Sequence, residues 1–143
     1  MKLFTIGFTK TSAEGFFSRL SKAHVVKLLD VRLNNVSQLA GFAKKDDLRY
    51  FAKSICGIEY AHLPELAPTK DMLDDYRKSK EGWSAYAQKF LDLMARRKIE
   101  NIDRSQFNGG CLLCSEDKPH HCHRRLVAEY LKDRWGDLEI EHL

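Results

Sequence analysis

"VVKLLDVR", residues 25–32, is the stretch whose reading decides the fold. It is a nearly continuous apolar run closed by two charged residues, Asp30 and Arg32. A strand with one face in water alternates apolar and polar positions. An unbroken run marks a strand covered on both faces, the habit of parallel sheets.

The segments on either side fit that reading. "KLFTIGF" (2–8) is apolar and β-branched enough for a first buried strand ending at Gly7. Thr11 and Glu14 stand at capping-box spacing and predict a helix with Phe16, Phe17 and Leu20 on its apolar face. Residues 33–43 lack a period and read as a loop with a helical turn. A helix over 44–55 follows, with Leu48, Phe51, Ala52 and Ile55 at core spacing. "IEYAHLPEL" (58–66) alternates and stops at Pro64, a short strand running into a loop. Helices fit 68–79 and 82–98, the second with Trp83, Tyr86, Ala87, Phe90, Leu91 and Met94 on one side. A strand over 109–116, a helix over 122–135 and a strand over 138–143 complete the chain. Strands alternating with helices predict one α/β domain over residues 1–143, a three-layer sandwich with a mainly parallel sheet of about five strands.

Composition sets limits on function. The length suffices to bury about two-thirds of the unfolded surface around one core. No apolar run approaches the roughly 20 residues of a membrane span, so no membrane partner is expected. "MKLFTIGFTKTSAE" lacks the long apolar region and small-residue cleavage site of a signal peptide, and a cytoplasmic location is the default expectation. The 24 Lys and Arg against 20 Asp and Glu give a net charge of +4, which permits an anionic partner but not the basic signature of a dedicated nucleic-acid binder. Part of that charge sits in "ARRKIE" (95–100) and "HRR" (123–125).

Function concentrates in "CLLCSEDKPHHCHRR" (111–125), which holds three of the four cysteines and three of the six histidines. In an open α/β sheet, ligands gather outside the carboxyl ends of the strands. Those ends bring Thr9 and Lys10, Asp30 and Arg32, His62 to Glu65, and Cys114 to Glu116 toward one edge. The helix that follows starts there, and a helix N-terminus attracts anions. Stepping back four residues from Leu126 and Val127 reaches Cys122 and His123, so both are expected to face the sheet. Arg125 is expected in solvent, with Arg124 on the flank and able to bend over the site.

Three chemistries suit these residues. A closed zinc site would need Cys111, Cys114, Cys122 and His123. Residues three apart on a strand point to opposite faces, which argues against it. A smaller zinc or iron site on Cys114, Cys122 and His123 is a less favoured reading. A thiol site asks for a cysteine whose pKa is lowered by positive charge or a helix start, which fits Cys114 and Cys122. Cys56 and Cys111 read as ordinary buried thiols. Glu116 and His123 are candidates for acid–base work, Asp117 for a helix cap. His120 and His121 read as a polar helix entrance, and Asp30 with Arg32 as a bidentate pair that is structural or binds ligand.

These residues resemble the domain-of-unknown-function 488 family of small bacterial and archaeal proteins. The likeness runs through "TIGFTKTSAEGFF" (5–17), "LLDVR" (28–32), "IEYAHLPELA" (58–67) and "LLCSEDKPHHCHRRLVAEYL" (112–131). It places Asp30, Arg32, Glu65, Cys114, Glu116, Cys122, His123 and Arg124 at the family's motif positions. It implies a fold and a pocket but no established reaction. Family members commonly carry histidine after the first strand's glycine; Phe8 stands there in this chain, with Thr9 or Lys10 as the nearest replacements. "LLDVR" and "LLC" also resemble rhodanese domains in kind, although Arg124 lies ten residues beyond Cys114, too far for their short loop.

The leading expectation is an enzyme-like domain that binds an anionic ligand, a nucleotide or nucleic-acid phosphate, through Arg32, Arg124 and the helix start. Redox or sulfur-transfer chemistry at Cys114 and Cys122 is the alternative, and a non-catalytic binding domain or metal site is the third.

Overall fold

The computed structural model describes residues 1–36, 41–78, 82–116 and 119–143. Strands β1 (Lys2–Gly7), β2 (Lys27–Asp30), β3 (Glu59–His62), β4 (Gly110–Cys114) and β5 (Glu139–His142) form one sheet in the order β3-β2-β4-β1-β5. Every pair is parallel. The "VVKLLDVR" run supplies β2, next to the centre, and Leu28 and Leu29 are both inaccessible to solvent. Leu28 belongs to one apolar core and Leu29 to the other, as alternation along a strand covered on both faces demands.

Helices α1 (Ala13–Lys22) and α2 (Lys45–Phe51) cover one face, where Phe16, Phe17, Leu20, Leu48 and Ala52 meet Phe4, Ile6, Cys111 and Leu113. Helices α4 (Gly82–Arg97) and α5 (His123–Trp135) cover the other, where Phe90, Met94, Leu126, Val127 and Leu131 meet Leu3, Leu29, Leu112 and Cys114. This is the α/β sandwich expected from the sequence. Helix α3 (Lys70–Lys78) has no buried residue and leans on α4.

Several local expectations are corrected. The cap of α1 is Ser12, whose hydroxyl accepts from the Gly15 amide at 3.0 Å; Thr11 instead donates to the Thr9 carbonyl. Ser12→Ala is expected to cost about 1 kcal/mol in urea unfolding, and Thr11→Ala less. The helix expected over 44–55 changes pitch after Phe51 into a π turn, Ala52–Cys56, closed by Gly57 in the left-handed region. The wider turn takes Ile55 off the buried stripe and leaves it 57% exposed. The short strand expected to stop at Pro64 ends at His62, and Pro64–Leu66, expected as loop, form a 3-10 turn. The 3-10 turn at Gly41–Ala43 is the helical turn expected within the 33–43 loop, whose residues 37–40 lie outside the described residues.

The connections place the site. From β1 the chain moves across the sheet to β2 and β3, and from β4 it moves the opposite way to β5. Strands β1 and β4 therefore flank the point where the winding reverses, with Gly7 level with Cys114 at their carboxyl ends. The loop after β4 fills the crevice there. The Ser115 carbonyl accepts from the Phe8 and Thr9 amides and from the Thr9 hydroxyl. A Cβ on Gly7 would stand 1.5 Å from the Glu116 carbonyl oxygen, so only glycine admits this loop. The open cleft lies to one side, past the ends of β2 and β4.

Candidate active site

Asp30 and Arg32 form the bidentate pair expected of them. Arg32 Nε and Nη2 donate to the two Asp30 oxygens at 2.9 and 2.8 Å, and the Arg32 amide adds a third bond at 3.1 Å. The Tyr60 hydroxyl also donates to Asp30. Asp30 is fully enclosed and its acceptors are taken, so its role is to orient Arg32. Arg32 is 3% exposed, sits 5.2 Å over the Phe8 ring and lines the cleft. Among the described residues its Nη1 has no hydrogen-bond partner. Phe8 thus supplies an aromatic face to Arg32, a cation–π contact.

Beside Arg32, Cys114 ends β4 and Cys122 and His123 open α5. Their sulfur and nitrogen donor atoms lie within 4.8 Å of one another, and all three side chains are buried. His123 Nε2 lies 2.7 Å from the Val31 carbonyl oxygen. A carbonyl only accepts, so Nε2 carries the proton and Nδ1 of the neutral ring is left as an acceptor. That Nδ1 is 3.6 Å from Cys114 Sγ. The apolar stripe of α5 had placed Cys122 and His123 toward the sheet, which is where they lie.

The electrostatics follow from this geometry. A hydrogen bond from the Cys122 thiol outweighs the cost of burial at Cys114. The charge of His123, its hydrogen bond and the charge of Arg124 act in the same sense, and together they hold the Cys114 thiol well below its ordinary value. Burial, with donation toward Cys114, pushes Cys122 up. Burial alone would lower His123, but the negative sulfur opposite, the bond to it and the bond to Val31 raise it. Cys111 lies on the opposite face of the same strand, in the other core, where burial pushes its thiol up. This offset removes Cys111 from any joint metal site with Cys114. Cys56 is half-buried and donates to the Phe17 carbonyl.

The cleft above these residues has a volume of about 810 Å³. Arg32, Cys114, Ser115, Glu116, Cys122 and His123 form one side. Lys70, Asp74, Tyr76 and Arg77 of α3, with Trp83 and Tyr86 of α4, form the other. The sequence reading missed this second wall. Its one signal was the scarcity of apolar residues in the 68–79 helix, a helix with little to bury. His121 also faces the cleft, stacked on Trp83 with ring centroids 4.9 Å apart, and His120 stacks on His121.

Besides the enclosed Asp30, four residues placed with the site by sequence stand apart from the cleft lining. Arg124 is fully buried; its Nη1 donates to the Glu116 carbonyl and its Nε to the Thr5 hydroxyl, so it braces the loop after β4. The first turn of α5 overhangs the ends of β1 and β4, and the flank expected near solvent is enclosed there. Arg125 is half-buried beside Trp83 and Glu129. Glu65 is exposed, and its carbonyl accepts from Arg97, which belongs to the basic group at 95–100. Thr9 is turned to Ser115, and Lys10 is exposed in the left-handed region. Asp117, the expected cap, lies outside the described residues; Cys122 occupies the cap position of α5 without a side-chain cap bond. Among the described residues no helix is long and apolar enough to cross a membrane.

Comparison with known proteins adds a family and nothing finer. No curated protein and no solved structure matches the chain. The family model described as "Domain of unknown function DUF488" matches residues 12–131 of the 143. That span runs from the cap of α1 to Leu131 in α5 and takes in Asp30, Arg32, Cys114, Cys122 and His123. The chain belongs to the DUF488 family.

Proposed function

We propose that this protein is a thiol-dependent enzyme acting on an anionic ligand, with Cys114 as nucleophile and His123 as its general base. The supporting observation is the Val31–His123–Cys114 line, in which the carbonyl fixes the imidazole tautomer and leaves Nδ1 to take the thiol proton. The Cys114 sulfur then bonds to an electrophilic centre of the ligand, and the leaving group departs with its electron pair and takes the proton back from His123. The Cys122 thiol donates to the sulfur while it is charged. Glu116, an exposed carboxylate of the cleft wall, is assigned to activate water for release of the covalent intermediate.

This order differs from the leading expectation from sequence. Arg124 braces a loop and does not line the cleft, which leaves Arg32 to hold charge and Cys114 to do chemistry. A rhodanese-type persulfide cradle gains no support, since the first arginine after Cys114 is the enclosed Arg124. A soft divalent ion, zinc or iron, on Cys114, Cys122 and His123 is the second reading, favoured by the spacing of their donor atoms.

Both readings are tested by iodoacetamide labelling of the folded protein at pH 7 with peptide mapping, with and without a chelator. Cys114 is expected to label ahead of Cys56 and Cys111 whether or not chelator is present. Labelling of Cys114 only after chelation would move the assignment to the metal. Labelling confined to Cys56 would end the thiol reading.

A further inference from the structure

We propose that the ligand of this cleft is a nucleoside monophosphate. Its phosphate would sit on Arg32, its sugar hydroxyls toward Asp74 and Glu116, and its base against Trp83 and His121. This rests on the cleft being the working site and names its substrate class.

The phosphate end follows from Arg32. Its guanidinium is 3% exposed, pinned to Asp30 on one side and to the Phe8 ring below, yet Nη1 has no acceptor among the described residues. A buried guanidinium nitrogen held this firmly is satisfied by an incoming oxyanion, and an arginine fork matches phosphate oxygens. Lys70 and Arg77 add positive charge from the opposite wall. The 13-residue helix α5 opens onto the same floor at Cys122 and His123, and its N-terminal end favours negative charge.

The other end of the ligand follows from what a bare phosphate leaves unused. Asp74 and Glu116 also line the cleft. A carboxylate repels phosphate and accepts from hydroxyls, so the ligand must offer donors beyond its anionic group. Trp83 is half-buried and lies nearly parallel to His121, at 19°, while Tyr76 meets its edge at 6.0 Å. Aromatic side chains presented to a polar cleft are a stacking wall for a planar base. The volume of about 810 Å³ lies within the usual range of roughly 300–1,000 Å³ for ligand pockets and accommodates phosphate, sugar and base together.

The test is calorimetric titration of the full chain with AMP, GMP, CMP and UMP, with inorganic phosphate and the four nucleosides as separate arms. At least one monophosphate is expected to bind about tenfold tighter than phosphate or its own nucleoside. Trp83→Ala is expected to weaken that monophosphate by about tenfold and leave phosphate unchanged. Arg32→Lys is expected to weaken both. Arg32 also holds Asp30, so Trp83→Ala decides the matter if Arg32→Lys does not fold. Monophosphate binding by the wild-type chain, with Cys114 left unlabelled in the iodoacetamide test, would remove the thiol reading alone. Equal affinity for phosphate and every monophosphate, no binding of any, or an unchanged Trp83→Ala would overturn the proposal.

Discussion

Replacing His123 with glutamine is expected to slow alkylation of Cys114 at pH 7 by about 3- to 10-fold and to move the midpoint of its pH–rate profile upward. A thiol at its ordinary value, near 8.5, is only a few per cent ionised at pH 7, which sets the ceiling on the loss. Glutamine keeps a donor for the Val31 carbonyl but provides no base to receive the thiol proton. The Cys114 thiol is depressed in the native protein, so its thiolate persists to lower pH than that of an ordinary thiol and is lost as pH falls through the depressed value. Without His123 that loss begins at higher pH. The hydrogen bond from Cys122 survives, so the shift is partial, and Cys122→Ala in the same background is expected to carry it further. A pH–rate profile by mass spectrometry, with Cys56 as internal reference, checks this. An unchanged midpoint in His123→Gln would mean that the imidazole does not govern the sulfur.

Gly7→Ala is expected to be the most destabilising single methyl in the molecule, at about 3 kcal/mol or more. The added Cβ would stand 1.5 Å from the Glu116 carbonyl oxygen, 2.5 Å from its carbon and 2.8 Å from Arg124 Nη1. Two of those atoms are backbone and cannot swing aside. Relief requires the loop after β4 to lift, which breaks its bonds to Phe8 and Thr9 and takes away the acceptor of a fully buried arginine. Gly41→Ala is the control, since among the described residues nothing lies within 4 Å of its Cβ and its φ is ordinary. Thermal unfolding is expected to fall by about 10 °C for Gly7→Ala and by little for Gly41→Ala. A melting point for Gly7→Ala within about 2 °C of wild type would refute the plugged crevice.

The parallel sheet was legible because unbroken apolar runs and alternating strands and helices are properties of the chain's own periodicity. The same holds for the inward face of α5, where two residues of the stripe suffice to place Cys122 and His123. What escaped was set by contacts between distant segments. Ser12 displaced Thr11 as cap because the chain leaves β1 through a turn that ends one residue later than the motif spacing suggested. Ile55 left the core because helix pitch changed, which no apolar pattern reports. Arg124 was taken for a ligand group because a charged residue at a helix start usually meets water; here the loop after β4 and the side chain of Thr5 enclose it. The wall made by α3 and α4 was invisible for a related reason: Lys70, Tyr76, Arg77 and Trp83 gain meaning only when opposed to Arg32 and Cys114.

The bond from His123 to the Val31 carbonyl joins residues 92 positions apart in the chain. Contacts that close long loops form late when a protein folds, after local structure is in place. A nascent or partly folded chain therefore carries Cys114 without its oriented imidazole, as an ordinary and sluggish thiol. Reactivity at this sulfur is a property of the folded molecule, and its onset during refolding would time the docking of β2 against the β4–α5 unit.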